Sequence, residues 1–407
     1  MTLPDTNDPL SNSLDAILAD IAVNVQLPPG LHDKAKDRYE AVRNYVEREG
    51  SPLQGRVEIF YPQGSMAIDG TTSTRGTDDE YDLDIVAQVE DDGSSPDEML
   101  DTLAEALDGY PTARGIERQT RCVTVRYADG MHLDITPAVR TPYGNERESK
   151  IFHANPDRPA RDHYRAPMNA YGFAEWYNAR TPLELRFATA MSRRLFEVRA
   201  AAEVGEVPHQ VPLRFKNTAT VALQILKRFR NIVYADATGR IPPSVMMSCI
   251  AGHTAAPNTA LSDMVIRQAN MLARLIRDAS RRGERISIAN PIYADDCFTD
   301  RWPESLAQQN EFADHLTELV RGLEQIRRGA DLEGIQDWLR PRFGTHVVTR
   351  SIRQFNERVG RAVRNAGQSY TSRGGIFVPA APAVITGVTT SAPAVARSHT
   401  FMGGRRT

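Results

Sequence analysis

The sequence predicts an α+β protein in two parts: a mixed sheet with helices within residues 1–165, then a helical domain over residues 166–366. Three observations predict it. Segments that alternate polar and apolar side chains are confined to the first part, helical periods dominate after about residue 165, and 407 residues suffice for two cores. The last stretch, residues 367–407, is rich in Ser, Thr, Gly, Pro and Ala and carries no charge between Arg373 and Arg397, which predicts a flexible tail.

The elements follow in order. Leu14, Ile17, Leu18 and Ile21 recur at helical spacing, Pro28, Pro29 and Gly30 interrupt, and Tyr39, Val42 and Val46 mark a second helix, both assigned to the first domain. The run VEIFYPQG reads as a strand, and YDLDIVAQVE alternates as a half-buried strand does, with a Gly/Thr/Asp-rich link over residues 69–80 between them. Ser95, Pro96 and Glu98 ahead of Met99, Leu103 and Leu107 signal a capped crossover helix. CVTVRYADGMHLDIT reads as two strands joined at Asp129-Gly130, a pair suited to a type I′ turn. Helical periods then cover residues 220–233, 245–251, 264–276, 306–326 and 352–363, with breaks at Pro242-Pro243, Asn290-Pro291 and Pro341.

Composition excludes several classes. Lys and Arg number 49 against 52 Asp and Glu, a net charge of -3, which argues against an extended nucleic-acid surface and requires any polyanion to be bound locally. No stretch approaches the roughly 18 apolar residues of a membrane span, and MTLPDTNDPL lacks the regions of a signal peptide, so the expectation is a cytoplasmic protein with no membrane contact. Cys122, Cys249 and Cys297 lie far apart and signal neither disulfides nor a cysteine zinc site. The only lysines are Lys34, Lys36, Lys150, Lys216 and Lys227.

The chemistry-bearing constellation is Gly64-Ser65, Asp82 and Asp84, and Asp134 on the later hairpin strand. Residues i and i+2 of a strand share a face, so Asp82 and Asp84 present two carboxylates together, and Asp134 from a neighbouring strand adds a third. Such oxygen donors suit Mg²⁺ or Mn²⁺, and a pair of these ions can hold a triphosphate, activate a hydroxyl and stabilise departing pyrophosphate. Gly64 permits close backbone approach and Ser65 offers a hydroxyl to phosphate. Each part alone has a plainer reading, since an Asp-x-Asp pair is common on solvated strand edges. Their order along the chain, with the crossover helix between, is what points to catalysis. The aromatic residues Tyr171, Phe173, Trp176 and Tyr177 read as core packing rather than a base-stacking surface.

This constellation resembles the nucleotidyltransferase superfamily, with its polymerase-β-like sheet, and YPQGSMAIDGTT, YDLDIV, HLDITPAV, VALQILKRFRN, PPSVMMSCIAG and NPIYADDCFTDRW resemble the bacterial CD-NTases over about residues 30–330. The resemblance implies a template-independent, Mg-dependent enzyme that joins ribonucleoside triphosphates into a cyclic di- or trinucleotide second messenger in anti-phage signalling. It also implies that the helical domain walls the cleft, with Lys227 contacting donor phosphates and Ser244 its companion hydroxyl, while Asn290, Pro291 and Trp302 are structural. The ending SHTFMGGRRT resembles tails that ubiquitin-like enzymes conjugate, which here requires trimming back to Gly404 and makes such enzymes, or a regulatory protein, candidate partners. Two other readings stay open: a transferase adding nucleotides to RNA or protein, and a non-catalytic scaffold acting through its tail.

Overall fold

The alternating segments of the first part pair into one seven-stranded mixed sheet. The structure is a computed structural model describing residues 10, 12–26, 29–73, 81–145, 147–201, 217–329, 332–364, 369–370 and 376–377. Strand β1 (Val57–Pro62) is antiparallel to β2 (Tyr81–Val89), and β2 is parallel to β5 (Met131–Arg140). The upper half of β5 pairs antiparallel with β4 (Val123–Arg126), which pairs with β3 (Gly115–Arg118). Its lower half pairs with β6 (Ser149–His153), and β6 with β7 (Tyr164–Met168).

Alternation fixes which face is buried. Leu83, Ile85, Leu133, Ile135 and Phe152 all lie in one core, under α2 (Pro29–Val46) and α4 (Pro96–Leu107). Helix α4 carries the expected capping box: Ser95 Oγ accepts from the Glu98 N–H, and the Glu98 carboxylate accepts from the Ser95 N–H. Between β1 and β2 the chain makes a single helical turn, α3 (Gly64–Ala67).

The expected β4–β5 hairpin forms, but its turn is not type I′. That turn needs positive φ at both central residues, and Gly130 has φ 82 while Asp129 is not in the left-handed region. The Tyr127 N–H bonds to Met131 O at 2.9 Å, so three residues, not two, close the loop, with Gly130 in the left-handed position. Strands β6 and β7 were not legible at all.

The second half is helical: α5 (Ala170–Arg180), α6 (Leu185–Ala201), α7 (Thr218–Val233), α8 (Ser244–Thr254), α9 (Leu261–Arg281), α10 (Leu306–Gly329), α11 (Leu332–Phe343) and α12 (Thr345–Arg364). Two short strand pairs accompany them, β8 (Ala289–Asn290) with β9 (Tyr293–Cys297), and β10 (Ser369–Tyr370) with β11 (Ile376–Phe377). The break expected in the segment with Pro341 falls just after it: Pro341 sits in the last turn of α11, and Gly344, with φ 93, separates α11 from α12. Trp302 is buried edge-on against Phe312, as a packing residue. Phe173 and Tyr177 are buried as well.

The first helix departs from the sequence assignment. Helix α1 (Ser13–Val25) was expected with the sheet, yet Ile17, Leu18, Ile21 and Val25 lie in the helical core with Leu223, Val265 and Val348. The reason is its composition: Leu14 through Val23 are all buried, so only a site enclosed by other helices satisfies it. Asp20 at its centre is paired by Arg194 and Arg358, and Asn24 donates to Ser351 Oγ at 2.9 Å.

Leu103, fully buried on α4 against the sheet, is expected to cost about 2–5 kcal/mol when cut to Ala. Urea denaturation followed by circular dichroism measures it; a loss below about 1 kcal/mol would remove α4 from the core.

Candidate active site

Backbone register brings two of the expected carboxylates together. In the parallel pair, Asp84 lies directly opposite Asp134, and Asp82 opposite His132. Because their neighbours Leu83, Ile85, Leu133 and Ile135 fill the core, these four polar side chains share the opposite face. Asp84 and Asp134 are half-buried, while the Asp82 side chain is 53% exposed. Thr124 on β4 faces Asp134 and donates its hydroxyl to Asp134 Oδ1 at 2.6 Å. His132 Nδ1 lies 3.2 Å from Asp82 Oδ1.

The charges strain against one another. Burial, then the negative charges of Asp134 and Asp82, push the Asp84 carboxyl up to about 7, against the pull of Lys227. Burial likewise raises Asp134, and the Thr124 hydrogen bond opposes it. The Cys122 thiol, raised by burial and by Asp134 and Asp84, stays protonated and adds no soft ligand. Among the described residues no three carboxylate, imidazole or thiol groups are gathered tightly enough to enclose an ion as they stand. The donor set still fits a hard divalent cation: three carboxylates on adjoining strands, two of them raised above the ordinary carboxylate range by burial and neighbouring negative charge that a cation would relieve.

Gly64 and Ser65 stand where the sequence placed them, beside the carboxylates. Gly64 has φ 58, and a Cβ there would lie 3.1 Å from Asp84 Cγ and closer still to its Oδ2. Only glycine permits this approach. The Gln63 N–H bonds to Asp84 O at 2.9 Å, fastening the turn to β2, and Gln63 Nε2 donates to Thr136 Oγ1 at 3.1 Å. Ser65 O accepts from the Gly70 N–H at 2.8 Å, and its hydroxyl lies 3.5 Å from Thr71 Oγ1.

Helix α7 clamps the segment after that turn. Gln224 Nε2 donates to Asp69 O and Thr71 O, Lys227 Nζ to Gly70 O at 2.7 Å, Arg228 Nη1 to Ser73 Oγ, and Asn231 Nδ2 to Ser73 O. Lys227 is buried; its ammonium is pushed down to about 7 by burial and by Arg230, while Asp84 and Asp82 pull the other way. Ser244 begins α8, and its hydroxyl accepts from Arg230 Nη1 at 2.8 Å. The structure thus brings Lys227 to the carboxylate turn and ties Ser244 in through Arg230.

Sequence reasoning missed Thr124, Gln224, Arg228, Arg230 and Asn231. A signal existed for three of them: Gln224, Lys227, Arg228 and Asn231 recur at i, i+3, i+4 and i+7, a polar stripe on an otherwise apolar helix. Of the expected features, residues 74–80 of the link and the tail with Gly404 lie outside the described residues.

The chain is similar to known proteins along nearly its whole length. Residues 12–155 match the Second Messenger Oligonucleotide or Dinucleotide Synthetase domain. The chain is 56% identical over 405 residues to the cyclic dinucleotide synthase CdnG of Bradyrhizobium diazoefficiens, covering 98% of this chain and 97% of that protein. A solved structure of the Bradyrhizobium diazoefficiens CD-NTase CdnG in complex with GTP superposes with a TM-score of 0.78 at 55% identity, covering 86% of this chain and 100% of that one. The Vibrio cholerae cyclic AMP-GMP synthase DncV, holding a linear intermediate, shares the fold with a TM-score of 0.53 at 12% identity, covering 81% of this chain and 94% of that one. With its carboxylate face, Gly-Ser turn and helical wall in place, and with identity at this level across nearly its whole length, the chain belongs to the CD-NTase family of second-messenger cyclic dinucleotide synthases.

Proposed function

We propose that this chain condenses two ribonucleoside triphosphates, GTP among them, into a cyclic dinucleotide that signals phage infection in the bacterial cytoplasm. The observation that carries the reading is Asp84 set opposite Asp134 on adjacent parallel strands, with Gly64 pressed against Asp84. The choice of GTP follows the nucleotide bound to the similar CdnG. In each of two condensations a ribose hydroxyl oxygen forms a bond to the α-phosphorus of the donor, the bond from that phosphorus to the β-phosphate oxygen breaks, and pyrophosphate leaves.

Asp82, Asp84 and Asp134 would hold two Mg²⁺ ions, or Mn²⁺, which when bound neutralise phosphate charge and make the hydroxyl more acidic. Asp134, set deeper than Asp82 and oriented by Thr124, receives the hydroxyl proton. Gly64 and Ser65 seat the donor triphosphate at the turn that α7 braces. Lys227 and Arg230 supply positive charge on that side, and Ser244 orients Arg230.

Asp84→Asn is expected to lower product formation at least about 10³-fold by removing a ligand from the reaction's electrostatic centre. Its stability should move the other way. A carboxyl whose folded value stands near 7 against 3.8 unfolded binds its proton more readily when folded, so wild-type stability falls as pH rises between those values. In EDTA, Asp84→Asn should therefore melt above wild type at pH 8, and thermal melts at pH 8 and pH 5 check it. A lower melting temperature at pH 8 would show that Asp84 is not a repelled charge.

Protons and cations compete for these carboxylates. Mg²⁺ is expected to raise the wild-type melting temperature more at pH 8 than at pH 6, and not to raise that of an Asp82→Asn, Asp84→Asn double variant. Equal stabilisation of both proteins would place the ions elsewhere. Gly64→Ala forces a Cβ against Asp84 at a positive φ and is expected to reduce the rate at least about 100-fold; near-normal rates in a mass-spectrometric assay would remove the turn from the donor seat.

A further inference from the structure

Strand β4 braces two of the carboxylates from the side. Thr124 pairs with Asp134 in its antiparallel register and Arg126, two residues on, with His132, which in turn lies opposite Asp82 on β2. Residues i and i+2 of a strand share a face, so Thr124 and Arg126 stand in one row with the side chains they meet. Thr124 reaches its carboxylate directly, through the 2.6 Å bond to Asp134 Oδ1. Arg126 meets Asp82 through an imidazole.

That relay runs unbroken across β3, β4, β5 and β2. Glu117 on β3 accepts from Arg126 Nε at 3.2 Å and from Nη2 at 2.8 Å, Arg126 Nη1 lies 3.4 Å from His132 Nε2, and His132 Nδ1 lies 3.2 Å from Asp82 Oδ1. Each link has one direction. A guanidinium only donates, so Nε2 must accept, and the neutral imidazole then carries its proton on Nδ1, where it donates to the carboxylate. Arg126 thereby selects the tautomer, and Glu117 holds Arg126 in place to do so.

Asp82 depends on such a brace more than its neighbours do. Its side chain is 53% exposed against 18% for His132, and among the described residues His132 gives the Asp82 carboxylate its only hydrogen bond. Asp84, by contrast, is packed against Gly64, and Asp134 is held by Thr124. An exposed carboxylate with no donor beside it turns its oxygens freely among rotamers. Carboxylates that ligate metals are themselves hydrogen-bonded from outside, which fixes where their oxygens point and so how well they bind the ion.

We propose that His132 is a positioning residue for Asp82, donating Nδ1–H to hold that carboxylate ready for a divalent cation, and that Arg126 fixes the tautomer in which it can do so. This rests on the synthase reading above, which makes Asp82 a ligand. His132 acts through Asp82 and on neither nucleotide nor reacting atoms. Its effect therefore falls on how tightly the cation is taken up, and the binding of GTP is left alone.

Two substitutions separate the ring nitrogens, because the amide N–H group falls near the place of Nδ1 in His132→Asn and near that of Nε2 in His132→Gln. With Mn²⁺ alone titrated into each protein and followed by electron paramagnetic resonance, His132→Gln should bind at least about tenfold more weakly than wild type, and His132→Asn within about threefold of it. Equal affinities in all three overturn the proposal. In turnover, His132→Gln should raise the Mg²⁺ concentration for half-maximal rate at least about tenfold and leave the KM for GTP unchanged; a lower kcat with an unmoved Mg²⁺ dependence would mark a merely structural residue and overturn it. Arg126 lies within electrostatic reach of Asp134 and Asp82, so by charge alone Arg126→Met would tighten Mn²⁺ binding, whereas loss of the tautomer brace weakens it about threefold. Tighter binding overturns the relay. In EDTA at pH 8, a long-range nitrogen-15 spectrum, with His132 assigned by its disappearance in His132→Asn, should show the proton on Nδ1, and a proton on Nε2 overturns the proposal whatever the enzyme does. A wild-type protein that binds no Mn²⁺ and forms no product from any triphosphate would defeat the synthase reading, and that spectrum would still decide the bond from His132 to Asp82.

Discussion

Two like charges face each other because the pairing of β2 with β5 gives them no other place. At the strand spacing, two carboxylates about 5 Å apart repel by roughly 3 kcal/mol at an effective dielectric constant near 20. Burying Leu83, Ile85, Leu133 and Ile135 on the far face contributes about 1.5–3 kcal/mol each. The apolar face wins, and a slip of one residue would turn the two of whichever strand moved into the polar cleft. Sheet packing therefore sets the register, and the repulsion it imposes is what makes the cleft receptive to cations.

The rest of the cleft is held by contacts between the two halves of the chain. Helix α7 grips residues 69–73 at five backbone or side-chain atoms, and Arg228, almost wholly buried, also bonds to Phe343 O at the end of α11. The Gly-Ser turn is thus fixed on one side by β2, through Gln63, and on the other by the helices. A turn pinned at both ends pays little ordering entropy when a nucleotide arrives, which is the physical basis of a preorganised site.

Local placement was legible and tertiary partnership was not. The i, i+2 carboxylates, the Gly-Ser pair and the α4 capping box depend on a few neighbouring residues, and the structure places them as read. The parallel order of β2 and β5 follows from a crossover whose far end is a distant strand. Strands β6 and β7 are five residues each and flank a loop with Pro156 and Pro159, so their alternation was too short to stand out. The β4–β5 turn carried a pair of residues suited to two turn types, and loop length decided between them. Thr124 has no distinctive sequence context; its role comes only from what the fold sets beside it.

The enclosure of α1 by α12 reaches beyond the folded state. Asn24 meets Ser351 and Asp20 meets Arg358, so one of the helices that enclose α1 is synthesised more than 300 residues after it. Until then its oily surface lies open to aggregation or to a chaperone, and the late closing of so long a loop makes assembly of the helical half slow. A chain cut short before α12 would keep its sheet but leave α1 bare along the side that α12 covers.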